Sequence, residues 1–268
     1  MVELAEFFQS AQLPVMSEVA HALVRTLEDD KASVLDVRHI IAKDPALTAN
    51  LLKLANSAMF GLRHSVYSLD EAIAMAGMSQ VRMMAISTCV VGAFPMVPGL
   101  GRTEFWRYSM ACAGYAQWLA GGVGMDRQAA WLTGLMLRLG EILMSQRAPE
   151  LMMRVRTMPC APGERWEREH RMLGFTEGHM TAELLRYWRF PAPMVAALLN
   201  AAYPMKAMPF NELGSVVHLA GLLAESPNAG QQELDALPQD VLLALKLSPE
   251  WLRSRLPDPK KFMDVTGL

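Results

Sequence analysis

Cysteine is scarce in this sequence: 268 residues include only three, at Cys89, Cys112 and Cys160. They are scattered singly, none has the spacing of a metal-ligand pair, and an odd number does not fit a disulfide framework. This shortage excludes a small secreted domain stabilised by disulfides, and it favours the reducing environment of the cytoplasm.

Long apolar runs are also missing. The longest candidate, AISTCVVGAFPMVPGL at residues 85–100, is interrupted by Pro95 and Pro98 and falls short of the roughly 18 residues that span a bilayer. The first residues, MVELAEFFQSAQLP, carry acids and no basic stretch, which argues against a signal peptide. We therefore expect no membrane partner.

An excess of positive charge is absent too, because the formal net charge is −2 and the pI is about 6.3. Without a broad basic surface we expect no nucleic-acid partner. One stretch, GERWEREHR at residues 163–171, is basic and aromatic. It places opposite charges four residues apart, as at Arg165 and Glu169, and this spacing is typical of a solvated helix face.

Recognisable catalytic motifs are missing as well. The sequence has no glycine-rich phosphate loop, no Gly-x-Ser-x-Gly turn and no His-Glu-x-x-His helix. We therefore predict no catalytic residues and no cofactor from motifs of these kinds.

What the sequence does contain is helical punctuation, with little strand-like alternation. Asp44-Pro45 is typical of the start of a helix, which is predicted to end at Gly61, and Ser68 followed by Glu71 forms a capping box for a helix that runs to Gly77. A helix is predicted over residues 104–120 with its stop at Gly121-Gly122, and Asp126 can cap a helix that runs to about Arg147. With 52% hydrophobic and 19% charged residues, this pattern predicts a compact all-α bundle. Further helices are predicted at Val19–Leu27, Val34–Ala42, Glu164–Met172, Glu177–Trp188, Ala192–Ala201, Glu212–Ala224, Gln239–Leu245 and Pro249–Arg255.

A cluster of proline and glycine at residues 94–99 suggests an internal boundary. We predict an N-terminal helical layer at residues 1–97, a helical core at 98–225 and a C-terminal helical extension at 226–268. The three parts are expected to form one continuous structural unit.

One charged residue stands out in the stretch LTGLMLRLGEILM at residues 132–144, where Arg138 interrupts an apolar helical pattern. Arg138 can face a cleft and bind an anion, with Glu141 as a nearby acid. Alternatively, its stem packs on the helix and its head reaches solvent. The sequence leaves both interpretations open.

Two segments carry a resemblance to a known family. The stretch LLKLANSAMFGLRHSVYSLDEAIAMAGMSQVRMM at residues 51–84 resembles the HDOD family, in which an apolar helix ends in Leu-x-x-Asn-Ser-x-x-Phe before a basic loop and a serine-capped helix. The stretch LLRYWRFPAPMVAAL at 184–198 is similar to its Leu-Leu-x-x-Trp-x-x-Pro segment. The matching residues are Asn56, Ser57, Phe60, Ser68, Ala72, Ile73, Gly77, Leu184, Leu185, Trp188 and Pro191.

This resemblance covers about residues 10–225 and implies an all-helical relative of the HD metal-dependent phosphohydrolases. HDOD domains usually lack the metal ligands and are regarded as regulatory modules of bacterial signalling proteins. The resemblance therefore implies a non-enzymatic, cytoplasmic regulator that acts on signalling partners through protein contacts.

The resemblance also assigns the positions of the ancestral metal ligands. In register, they fall on Tyr108, Leu137, Arg138 and Gly221, so that a histidine–aspartate pair is replaced by leucine and arginine. An arginine keeps its proton and repels a divalent cation. We expect a degenerate metal site in which Arg138 fills the pocket and leaves a cleft for a nucleotide or other anion.

Other candidate contacts come from the loops and from a second family segment. Arg63 and His64 lie in the basic loop and are the candidate partner contacts. Glu177 and His179 occupy a region where many relatives carry a Gly-x-x-His-x-Glu-x-Gly run. The alternative function is a nucleotide-binding sensor or a divergent metal-dependent phosphohydrolase, the latter using His170, His179 and Glu183 as ligands.

Overall fold

The computed structural model describes residues 4–29, 31–57, 62, 64–95, 97–158, 161–226 and 228–262, and these residues form helices and no strands. The predicted all-α fold is thereby confirmed. The α-helices are α1 Leu4–Gln9, α2 Glu18–Arg25, α3 Val34–Ala42, α4 Pro45–Ala55, α5 Leu69–Ala76, α6 Met78–Ala93, α7 Arg102–Val123, α8 Arg127–Met136, α9 Leu139–Arg147, α10 Pro149–Thr157, α11 Glu164–Leu173, α12 Glu177–Tyr187, α13 Ala192–Asn200, α14 Glu212–Ala224, α15 Gln231–Asp235, α16 Gln239–Ala244 and α17 Pro249–Arg255; 3-10 turns lie at Pro204–Lys206 and Pro259–Phe262.

The helix starts follow the capping residues. The Asp44 carboxylate accepts from the amides of Ala46 and Leu47 at the start of α4. Ser68 caps α5, and Asp126 caps α8 through two amides. These side chains satisfy amide groups that have no partner inside their own helix, which is why the sequence alone located them.

Several helix boundaries differ from the predictions. Helix α4 ends at Ala55, and the predicted stop at Gly61 lies outside the described residues. Helix α7 continues through Gly121 and Gly122 to Val123. The predictions also omitted α1, α6, α10 and α15.

Asn56 holds the loop after α4 in place through its side chain. Its side-chain amide donates to the Val66 carbonyl at 2.8 Å, and its oxygen accepts from the Val66 amide at 2.8 Å. This paired bond closes the loop that carries Arg63 and His64. Arg63 itself lies outside the described residues, and His64 is exposed.

Helix α7 is the centre of the core and packs against α8 and α14. Four tryptophans are almost completely buried in the core: Trp106, Trp131, Trp166 and Trp188. The C-terminal segment packs on the outer side of α7, where Trp251 stacks on Trp118 with ring centroids 5.3 Å apart. The predicted divisions at residues 97 and 225 stay predictions.

No helix in the described part of the chain is both long and apolar enough to cross a membrane.

Candidate functional site

The helix predicted from Asp126 to Arg147 is interrupted at Arg138. Helix α8 ends at Met136, α9 begins at Leu139, and Arg138 has φ −92° and ψ 2°, outside the helical range. Arg138 therefore lies at a junction of two helices, and the prediction of one continuous helix was wrong.

Thr181 of α12 compensates for this interruption. Its hydroxyl accepts from the Gly140 amide at 2.7 Å. Its one proton can be donated either to the Glu177 carbonyl at 2.9 Å or to the Leu137 carbonyl at 3.1 Å. Buried backbone groups without hydrogen-bond partners destabilise a fold. The Thr181 hydroxyl supplies a partner at the break and so reduces this cost. The break in turn directs Arg138 toward α7 and α14.

The four positions assigned to the ancestral metal ligands lie together. The Arg138 guanidinium carbon is 3.1 Å from the centroid of the Tyr108 ring, a cation–π contact. A Cβ atom on Gly221 would lie 3.1 Å from Leu137 Cδ2 and 3.0 Å from Trp166 Cζ2, so glycine permits a close approach there. Leu137 and Arg138 are consecutive and join the two contacts into one region.

Arg138 is only 12% exposed and is surrounded by acids. Its guanidinium lies 3.4 Å from a carboxylate oxygen of Glu177 and 3.4 Å from one of Glu225. Glu141, the acid that the sequence suggested as its partner, is farther away at 3.9 Å. The interpretation of Arg138 as a side chain with its head in solvent is therefore wrong.

A second buried arginine, Arg165 of α11, joins the same acids. It lies 2.9 Å from Glu141, 3.0 Å from Glu169 and 3.3 Å from Glu177. Arg156 of α10 also approaches Glu141, at 3.3 Å. We call these side chains the arginine–glutamate cluster; its members are Arg138, Arg156, Arg165, Glu141, Glu169, Glu177 and Glu225.

The sequence placed part of this cluster on the wrong side of its helix. Residues 163–171 were predicted as a solvated face, but Arg165, Trp166 and Glu169 are buried. Together with the buried Leu173 they form one helical stripe at i, i+4 and i+8 spacing. The tryptophan and leucine in that stripe were the available signal that this charged helix has an inward side.

Charges in the cluster nearly cancel. Burial opposes ionisation of Glu141, but Arg165 and Arg138 outweigh it and hold the pKa of its carboxyl below the usual value. Burial and the neighbouring Glu177 raise the pKa of Glu169 to about 8. Three arginines thus face four carboxyls, of which one is largely protonated at neutral pH.

A cavity of about 640 Å³ opens beside the cluster. The residues that line this cavity are Glu104, Arg107, Tyr108, Ala111, Arg138, Val155, Arg156, Pro162, Arg165, Ala224, Glu225 and Ser226. Among them, Arg107 is exposed and forms no ion pair within the described part of the chain. We call this cavity the cluster cavity.

With this geometry in view, comparisons with known proteins establish the family. The sequence profile of the HDOD domain matches residues 13–204. The chain belongs to the HDOD domain family.

Solved structures share the HDOD fold. A crystal structure from Shewanella amazonensis SB2B, named as a candidate phosphohydrolase, is 23% identical, with 98% of this chain and 94% of that chain covered and a TM-score of 0.75. An HDOD domain protein from Geobacter sulfurreducens is 20% identical, with coverage of 81% and 75% and a TM-score of 0.71. A candidate signal transduction protein from Marinobacter aquaeolei VT8 is 23% identical, with coverage of 95% and 57% and a TM-score of 0.74.

One curated relative is longer. An uncharacterised protein of Treponema pallidum (strain Nichols) is 22% identical over 246 residues, which is 89% of this chain but 47% of that protein. The HDOD chain thus spans about half the length of the curated relative that it matches.

The residues of this HDOD domain do not fit the metal centre of an HD phosphohydrolase. Such a centre needs imidazole and carboxylate donors. Here the four positions supply a phenol, a hydrocarbon, a guanidinium and no side chain. Burial raises the pKa of Tyr108 well above its usual value, so its phenol stays protonated. The described residues contain no group of three or more His, Cys, Asp or Glu side chains arranged to hold a metal ion.

The alternative ligands, His170, His179 and Glu183, each have local partners. The Thr176 amide lies 3.1 Å from Nδ1 of His179, so this nitrogen accepts and helps to cap α12. The His170 ring packs edge-on against Tyr203, and Glu183 forms an ion pair with Arg186. These contacts account for all three side chains without a metal ion.

Of the other candidate contacts, Glu177 is the most deeply buried. Its carboxylate accepts from the indole N–H of Trp166 at 3.0 Å and lies near both Arg138 and Arg165. Glu177 is therefore a centre of the cluster and not a surface contact. Direct ligand contacts of Arg63, His64, Arg138, Glu141, Glu177 and His179 stay predictions.

The burial of His218 in α14 predicts that the free energy of unfolding depends on pH. Burial lowers its pKa to about 4, whereas an unfolded histidine titrates near pH 6.5. The unfolded chain therefore takes up a proton first as the pH falls. We expect the contribution of His218 to stability to be complete above about pH 6.5. As the pH falls from about 6.5 to 4, the free energy of unfolding should decrease by about 3 kcal/mol.

Urea unfolding of the wild type and of His218→Asn at pH 7 and pH 4.5 measures this effect. Asparagine retains an N–H donor but does not titrate, so the variant gains stability relative to the wild type at the lower pH. The exposed His64→Asn variant is the matched control. A relative gain of equal size in that control would contradict the assignment to His218.

Proposed function

We propose that this HDOD domain is a non-enzymatic, cytoplasmic module of bacterial signal transduction that regulates other proteins by direct contact. The observation that carries the proposal is the position of Arg138. Its guanidinium stacks on Tyr108 and lies between Glu177 and Glu225, in the place where a catalytic relative would hold a metal ion.

The charge balance of the cluster supports a structural use of this former site. A metal-dependent hydrolase needs a cation that makes hydroxide from water near neutral pH. Here the carboxylates already form ion pairs with Arg138, Arg156 and Arg165. A divalent ion would have to displace these fixed positive charges. The loss of all four ligand positions removes the donors as well.

Metal analysis and turnover assays test the proposal. We expect freshly purified protein to contain substoichiometric Mn, Fe and Zn, and to hydrolyse neither bis-p-nitrophenyl phosphate nor cyclic dinucleotides above the blank. An active HD phosphohydrolase prepared in the same way is the positive control. One metal ion per chain, with turnover abolished by a chelator, would establish the divergent phosphohydrolase instead.

The cluster cavity supports a second candidate, a sensor of nucleotides or other anions. Its volume suits such a ligand, and Arg107 on its border has no acid partner among the described residues. The cluster arginines, however, are already neutralised by glutamates. Saturable binding of a cyclic dinucleotide without turnover, weakened in Arg107→Leu, would favour this second candidate.

A further inference from the structure

A second cavity, of about 500 Å³, is lined in part by Trp166. Apolar side chains form much of its wall, and no lysine or arginine is among its lining residues. Those residues are Ala161, Pro162, Gly163, Glu164, Trp166, Glu167, Ala202, His218, Leu222, Glu233, Ala236, Leu237 and Pro238. We call it the Trp166 cavity.

Three carboxylates border the Trp166 cavity, and each accepts a hydrogen bond from a neutral donor. Glu164 accepts from the Ala161 amide at 2.9 Å, and Glu167 accepts from the Tyr203 hydroxyl at 2.9 Å. Glu233 accepts from the Gly230 amide at 2.7 Å. None of the three forms an ion pair within the described residues, in contrast to the acids of the arginine–glutamate cluster. The border therefore carries uncompensated negative charge.

His218 adds a buried acceptor. It is 8% exposed, and its Nδ1 lies 2.7 Å from the Ala201 carbonyl. A carbonyl only accepts, so Nδ1 carries the proton and Nε2 of the neutral ring is an acceptor. Nε2 makes no hydrogen bond to the described residues and is not one of their fully buried unpaired atoms. Since His218 lines the Trp166 cavity, this nitrogen can accept a hydrogen bond from a donor inside the cavity.

Exposed apolar side chains lie next to the Trp166 cavity, on elements that also carry the exposed Lys206 and Asp240. Beyond the lining residue Ala202, the 3-10 turn Pro204–Lys206 carries Met205, which is 46% exposed. Beyond Pro238, α16 carries Leu243, which is 77% exposed. The turn and α16 are in contact, so the apolar surface continues outside the cavity. That extent suits a polypeptide better than a small amine.

We propose that the Trp166 cavity binds a segment of a partner protein that carries an arginine or lysine between apolar residues. The aliphatic stem packs against Trp166 and Leu222, an N–H group donates to Nε2 of His218, and the carboxylates at the border balance the charge. This inference rests on the proposed function, because it names the chemistry of the partner that the regulatory module recognises.

The probe is the pentapeptide acetyl-Leu-Arg-Leu-Arg-Leu-amide, compared with the same peptide in which citrulline replaces arginine. Citrulline keeps the length and shape but has no charge. We expect the arginine peptide to bind the wild-type protein at least about tenfold more tightly by calorimetry, since bonds to charged donors are the stronger ones. It should also shift the imidazole ¹⁵N resonance of His218.

Variants at the border locate the binding. We expect Glu167→Gln and Glu233→Gln each to weaken the arginine peptide by about threefold, because each removes one partly solvated charge. Glu18→Gln, an exposed acid of α2, is the matched control and should leave the affinity unchanged.

Three results would overturn the inference. Equal binding of the two peptides would remove the cationic requirement, and an affinity unchanged in both border variants would place the peptide elsewhere. Binding of arginine amide as tightly as the pentapeptide would identify a small-molecule site. None of these results requires a bound metal or turnover, so they are distinguishable from failure of the proposed function.

Discussion

Arg165→Leu is expected to destabilise the fold by about 3–5 kcal/mol, the usual cost of leaving buried charge without its partner. Arg165 contacts Glu141, Glu169 and Glu177 within 3.3 Å, and all three carboxylates are almost fully buried. Glu141 and Glu177 keep other arginines, but Glu169 loses the one cation that pairs with it among the described residues. The loss of stability therefore comes from the hydrogen bond that Glu169 loses and from the weaker charge balance at the buried carboxylates of Glu141 and Glu177.

Chemical unfolding of the purified variant at pH 7 measures this effect. Arg171→Leu, an exposed arginine of the same helix, is the matched control and should change stability by less than about 0.5 kcal/mol. Adding Glu169→Gln to Arg165→Leu should recover part of the loss, because the two residues are coupled. A loss below 1 kcal/mol in the single variant would mean that the cluster does not depend on Arg165.

Gly140→Ala is expected to cost about 3 kcal/mol or more, at the upper end of what overpacking costs. A Cβ atom at Gly140 would lie 2.2 Å from the Glu177 carbonyl oxygen and 2.8 Å from Met180 Cβ. The first neighbour is backbone of α12 and cannot rotate away. The substitution therefore has to separate α9 from α12, the two helices that hold Arg138 and Glu177.

Gly92→Ala is the opposite case and serves as the control. Gly92 lies in the exposed part of α6, and a Cβ atom there would meet nothing within 4 Å. Alanine should therefore stabilise this helix by about 0.5–1 kcal/mol. Thermal and urea unfolding of both variants give the comparison. Similar effects of the same sign at the two glycines would contradict the close approach of α9 and α12.

The parts of the fold that depend on local chemistry were accessible from the sequence. Asp44, Ser68 and Asp126 each satisfy amides of the adjacent turn, so their meaning does not depend on distant residues. The break in the helix at Arg138 could not be predicted from local sequence, because it is stabilised by Thr181, 43 residues further along the chain. Apolar periodicity continues through the break and conceals it.

The candidate site was accessible only in part, and for the same reason. Register with the family located Tyr108, Leu137, Arg138 and Gly221, but spacing alone could not show which side of α11 faces inward. Charges four residues apart have the same pattern on a solvated and on a buried face. Glu177, 12 residues beyond Arg165, becomes its neighbour only through the packing of α11 against α12.

Trp166 connects the arginine–glutamate cluster with the Trp166 cavity. Glu177 holds its indole N–H from one side, and the His218 ring lies 5.1 Å away on the other. A side chain held in this way loses its rotamer freedom when the chain folds. Binding does not have to order it again, which avoids a free-energy cost of about 0.5–1.5 kcal/mol for each such side chain. The arginine–glutamate cluster thus fixes the side chain that forms one wall of the Trp166 cavity.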